Sequence, residues 1–84
     1  MQTVVFAPGA VTAGNNIDLP SGSPSIGKII SAEIFRGSDA TNPASKVSVT
    51  ATKVDRNTIT LDTDTADTDL LILRYYAEGE IRTP

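Results

Sequence analysis

The sequence predicts an all-β chain: a single small antiparallel β-sandwich or barrel with an extended N-terminal segment. Three observations lead there. From residue 46 to residue 62, apolar and polar side chains alternate, and a period of two gathers the apolar groups on one face of a strand pair. Short β-rich runs recur roughly every ten residues with turn residues between them, the spacing of a sandwich or barrel. No segment has a convincing helical period, and residues 7–13 are broken by Pro8 and Gly9.

Gln2 to Phe6 is rich in β-formers and predicts a first short strand, ended by the turn chemistry of Pro8-Gly9. Gly14-Asn15-Asn16 predicts a second turn, and Ile17-Asp18-Leu19 a short edge strand. Residues 20–25, Pro-Ser-Gly-Ser-Pro-Ser, have loop composition. The next strand is expected over residues 28–36, with Ile30, Ala32 and Ile34 on one face and Ile29, Ser31, Glu33 and Phe35 on the other. Residues 37–45 form a second polar loop.

A hairpin is then expected between residues 46 and 62. Val47, Val49 and Ala51 share a face with Ile59 and Leu61 across an Asp55-Arg56-Asn57 turn. Val54 falls out of step, which predicts a bulge before that turn. Residues 63–68 are a third loop, and residues 69–77 form the last strand. In domain terms the expectation is one unit over residues 1–84: an N-terminal arm or edge segment (1–27), a β-meander core (28–77) and a C-terminal tail (78–84). Eighty-four residues bury only about 60–65% of their unfolded surface. Small chains of this kind commonly draw stability from oligomerisation or a partner.

Composition narrows the chemistry. With no His, Cys or Trp, there is no disulfide, no thiolate metal site and no ordinary base–nucleophile pair. A carboxylate pair such as Glu33 and Asp55 offers acid–base groups, but nothing in the sequence places them across a cleft. The expectation is no enzyme and no cofactor. The net charge of −3, with seven scattered cations, argues against nucleic acid, which needs clustered Lys and Arg. The start, Met1-Gln2-Thr3, lacks the basic region of a signal peptide. The longest apolar run, residues 70–73, falls far short of the roughly 20 residues of a membrane helix, so a soluble protein with no membrane partner is expected.

Two features invite closer reading. Residues 62–69 carry Asp62, Asp64, Asp67 and Asp69, oxygen donors of the kind that bind Ca²⁺. Counted from Asp62, however, the loop has Asp67 at the sixth position and Leu73 at the twelfth, where an EF-hand needs Gly and Glu. A solvated acidic loop is the preferred reading, with no metal. The other feature is that two strands are apolar on both faces. In the last, Leu71, Leu73 and Tyr75 oppose Leu70, Ile72, Arg74 and Tyr76; in residues 28–36, Ile29 and Phe35 oppose Ile30 and Ile34. A one-core antiparallel domain has a polar outer face, so this surplus needs cover, from the N-terminal segment or from another protein. Tyr75 and Tyr76 point to opposite faces, one into the core and one free for a ligand or interface. The candidate interface residues are Val4, Val5, Phe6, Ile29, Phe35, Leu70, Ile72, Arg74 and Tyr76.

Residues 30–37, the 46–62 hairpin and residues 71–77 together resemble small virion proteins of tailed phages, which are often all-β, acidic, rich in Thr, Ala and Gly, and free of Cys. Within that group the chain is most similar in style to capsid decoration, or cement, proteins. The resemblance rests on no diagnostic motif and transfers no functional residue. It implies a structural virion protein, made in the host cytoplasm, that sits on the capsid surface and bridges neighbouring major-capsid subunits, often as a trimer. The alternative is a carbohydrate- or receptor-binding β module of a phage tail or surface appendage. On the decoration-protein reading the N-terminal segment and one face of the last strand are expected to make the capsid contacts, so that deleting residues 1–7 abolishes particle binding and leaves the domain folded.

Overall fold

A computed structural model of the chain describes residues 1–35 and 46–80. The expected 37–45 loop, the end of the strand at Arg36 and the tail beyond residue 80 lie outside the described residues. Among the described residues, seven strands form two antiparallel sheets: β1 (Gln2–Phe6), β2 (Ile17–Asp18), β3 (Ile26–Phe35), β4 (Lys46–Val49), β5 (Ala51–Lys53), β6 (Thr58–Leu61) and β7 (Leu70–Ala77), followed by a short 3₁₀ turn at Glu78–Glu80. The larger sheet has the order β1-β7-β3-β4 and the smaller β2-β6-β5. The all-β expectation holds, and of its two forms the small sandwich is the one seen.

The core lies between the sheets. The larger sheet contributes Ile26, Ala32, Ile34, Leu71, Leu73 and Tyr75, and the opposite side contributes Ile17, Leu19, Ile59 and Leu61. Six of these side chains are fully enclosed: Tyr75, Ile26, Ile34, Ile59, Leu71 and Leu73. Burial of each of the Ile and Leu side chains is worth about 1.5–3 kcal/mol. The Tyr75 hydroxyl remains satisfied by donating to the Pro24 carbonyl at 2.7 Å, and burial raises its pKa.

The loop between β2 and β3 is held at both ends by the β5–β6 turn. The Leu19 N–H donates to the Asn57 carbonyl and the Ile26 N–H to the Arg56 carbonyl, both at 2.8 Å. Within it, Pro20 to Ser23 close a tight turn through a 3.1 Å bond from the Ser23 N–H to the Pro20 carbonyl. Gly22 adopts φ 88° there, a backbone region that is costly for residues with a Cβ.

Three local expectations are corrected. Strand β3 does not keep one phase. Its pairing with β7 slips between Ile26 and Lys28 and again between Ile29 and Ser31. The second slip turns Ile29 toward the core beside Ala32 and Ile34 and leaves Ile30 45% exposed. A β-bulge produces this result because the extra residue breaks the alternation.

The expected 46–62 hairpin is also divided. Residues 46–49 pair with β3, whereas residues 51–53 pair with β6. The chain changes sheet at Thr50, where the Thr50 N–H donates to Asp62 Oδ1 at 3.0 Å and the Asp62 N–H donates to the Thr50 carbonyl at 3.1 Å. The turn itself is tightened by Asp55, whose Oδ1 accepts the Asn57 N–H at 2.9 Å.

Finally, the N-terminal segment is not an arm that can be removed without cost to the domain: of the two expected forms, arm or edge segment, it is an edge strand of the larger sheet. β1 pairs with β7 along its whole length, and Val4 and Phe6 pack on the core.

Candidate protein-docking face

The outer face of the four-stranded sheet follows from the register. Val5 lies beside Ile72, Ile72 beside Glu33, and Glu33 beside Ser48. One row away Thr3, Arg74 and Ser31 are neighbours, and Leu70, Phe35 and Lys46 form the row on the other side. Val5 is 55% exposed; Ile72, Leu70 and Phe35 are half-buried. They shield one another as cross-strand neighbours. Tyr76 continues the face beyond Arg74, next to Lys28, and is 39% exposed.

A charged group sits among these apolar side chains. Arg74 Nη1 meets Glu33 Oε1 at 2.5 Å, and Lys46 Nζ lies 3.4 Å from Glu33 Oε2. The Glu33 carboxyl is held below its usual range, first by the hydrogen bond from Arg74 and then by Lys46. One anion bridged by two cations leaves a local excess of positive charge inside an apolar patch, an arrangement suited to a protein surface with an apolar centre and an acidic contact.

The structure sorts the nine candidate interface residues. Val5, Phe35, Leu70, Ile72, Arg74 and Tyr76 share the outer face. Val4, Phe6 and Ile29 do not: they face inward and pack on the core. Of the two tyrosines, Tyr75 is the buried one and Tyr76 the exposed one. Sequence reasoning missed Ile30, which only the bulge exposes, and also Glu33 and Lys46. A charged residue at an otherwise apolar strand position marks Glu33, but its partners on two other strands require the register.

The acidic run has a structural use. Asp64 Oδ1 accepts the Ala13 N–H at 2.7 Å, and Asp67 Oδ1 accepts the Ala10 N–H at 3.1 Å. Between them the Val11 and Thr65 backbones bond reciprocally at 3.3 and 2.9 Å, and the Thr65 hydroxyl donates to the Gly9 carbonyl. Asp69 is buried and its Oδ2 accepts the Ala66 N–H at 3.0 Å. These carboxylates fasten residues 9–14 to the loop before β7; Asp62, Asp64 and Asp67 stay exposed to solvent, as the sequence suggests, and are not gathered around one point. Among the described residues, no group of three or more acidic side chains is placed to hold a metal ion.

An open polar cleft of about 440 Å³ lies at residues 18–23, 55, 57 and 58. Two carboxylates line it, both engaged locally. Asp18 Oδ1 accepts the Thr58 hydroxyl at 3.0 Å, and Asp55 is held below its ordinary pKa chiefly by the Asn57 N–H. Glu33 and Asp55 are not brought together: one lies on β3, the other in the β5–β6 turn. Among the described residues, no helix is long and apolar enough to cross a membrane. No family model, curated protein or solved structure matches the chain.

Proposed function

We propose that this chain is a structural virion protein that docks the outer face of its four-stranded sheet onto a protein lattice, in the manner of a capsid decoration protein bridging major-capsid subunits on the outside of the shell. The observation that carries the reading is the half-covered apolar face of Val5, Ile72, Leu70 and Phe35 around the Arg74–Glu33–Lys46 group. A polar outer face is the norm for a domain with one core, and exposed apolar surface commonly marks a partner site. The role requires no reacting group. A protein that binds only the assembled shell stabilises it by mass action, and repeated copies on one lattice add avidity. Because β1 is integral to the sheet, docking is assigned to the face and no longer to a free arm.

The test is co-sedimentation with capsids of the source virus that lack the protein. The wild-type chain is expected to pellet with capsids and raise their melting temperature, whereas Leu70→Glu, which adds a carboxylate to the apolar row, binds far less while remaining folded. Equal binding by both proteins removes the outer face from the interface; no binding by the wild type removes the capsid role. The second reading, a carbohydrate-binding tail module, draws on the cleft formed by Asp18, Ser21, Ser23 and Asn57. A glycan array that gives a reproducible sugar signal, lost on Asn57→Ala, selects it.

A further inference from the structure

Among the described residues, the two sheets end in four edge strands, and three of these are blunted. β2 has two residues and β5 three, with Lys53 at its end. β4 has four residues, carries Lys46 and bends at Thr50 into the other sheet. β1 is different. Its five residues, Gln-Thr-Val-Val-Phe, contain no charge, proline or glycine, and its pairing with β7 is regular throughout. Soluble β proteins guard such edges because unpaired N–H and C=O groups template a further strand. Here the edge is held ready: the Met1 ammonium lies 2.8 Å from Glu80 Oε2, and Gln2 Nε2 donates to Glu80 Oε1 at 3.2 Å.

We infer that β1 pairs antiparallel with β1 of a second copy, joining two four-stranded sheets into one continuous eight-stranded sheet. The strand is self-complementary. The register of full overlap sets Val4 opposite Val4 of the other copy, Thr3 opposite Val5, and Gln2 opposite Phe6. No charges oppose one another anywhere in that register. A two-fold axis normal to the sheet keeps the two outer faces on the same side, so exposed Val5 gains the neighbouring Thr3 as cover and the docking face doubles in width. Such an interface is isologous and closes on two copies. It therefore differs from the trimer that the decoration-protein resemblance suggests.

The pairing is read on the isolated chain, independently of any capsid. Light scattering during size exclusion is expected to give twice the 8.8 kDa chain mass. Thr3→Lys/Val5→Lys and Thr3→Glu/Val5→Glu each set like charges opposite one another and are expected to run at the single-chain mass, with wild-type circular dichroism; mixing them restores the doubled mass. A second measurement leaves the charges alone. The chain has no cysteine, so mixed Thr3→Cys and Val5→Cys chains under mild oxidation should form the mixed disulfide well ahead of either homodisulfide, because directly opposed residues hold their Cβ atoms about 4.5–5.5 Å apart. A wild-type mass of one or three chains, a doubled mass retained by the lysine variant, or equal yields of the three disulfides overturns the inference.

Discussion

The bulge in β3 decides which of two adjacent isoleucines supports the core, and substitution separates the cases. Ile29 is half-buried and packs on the core cluster, whereas Ile30 is 45% exposed. Ile→Ala at a buried site costs about 2–5 kcal/mol. Partial exposure places Ile29→Ala at the lower end, about 2 kcal/mol. Ile30→Ala removes little buried surface and belongs with surface changes, within about 0.5 kcal/mol. For a domain of this size, 1 kcal/mol moves the melting temperature by about 4–8 °C, so Ile29→Ala should melt about 8–16 °C lower and Ile30→Ala within about 4 °C of wild type. Thermal melts followed by far-ultraviolet circular dichroism measure both. If Ile30→Ala is the more damaging, the strand keeps the unbroken alternation that its sequence suggests, and the inward placement of Ile29 is wrong.

Other consequences are as direct. Tyr75→Phe removes the part-buried bond to the Pro24 carbonyl and should lower stability by about 0.5–1.5 kcal/mol in urea titration. Asp64→Ala combined with Asp67→Ala unfastens residues 10–13 and should speed amide exchange at Ala10 and Ala13 before it affects the core, while Ca²⁺ leaves the wild-type melting temperature unchanged; a rise with Ca²⁺ contradicts the structural role given to these carboxylates. The Glu80 carboxyl is held down to about 2, mainly by the Met1 ammonium and then by the Ala77 N–H. A depressed folded-state pKa stabilises the fold above the unfolded value of 4.5, and that contribution is lost as pH falls from there toward about 2. Glu80→Gln should therefore narrow the difference in melting temperature between pH 7 and pH 3, and an unchanged difference refutes the assignment.

Most strands are legible in the sequence because alternation is a local property. Residues 2–6 and 69–77 read as strands from β-formers alone, and the opposition of Tyr75 to Tyr76 needs only the period of two. What stayed hidden depends on pairing. The alternation of Val47, Val49 and Ala51 is continuous, so nothing local reveals that the chain leaves one sheet and enters the other at Thr50. Nor does Ile29-Ile30-Ser31 announce a bulge, since either isoleucine suits the core. The acidic run was legible only in part: spacing suggests ligands or repulsion, while its partners, the N–H groups of Ala10 and Ala13, lie more than fifty residues away. At the candidate site, the apolar surplus of Leu70, Ile72 and Phe35 was readable as a count, but the Arg74–Glu33–Lys46 group needed three strands in register.

Face and edge meet at Val5, which borders Ile72 on one side and the free margin of the sheet on the other. A charge at Val5 disturbs both surfaces, so loss of particle binding in such a variant says nothing about which one matters. Ile72 separates them. It lies on β7, one strand in from the edge, with Val5 and Glu33 as its lateral neighbours. Ile72→Lys adds a third cation around Glu33 on the outer face and leaves the β1 main chain untouched, and circular dichroism checks that it stays folded. This variant is expected to keep the two-copy mass and lose capsid binding. A single-chain mass would mean that self-association runs through the face, and the separate roles given to face and edge would then have to be exchanged.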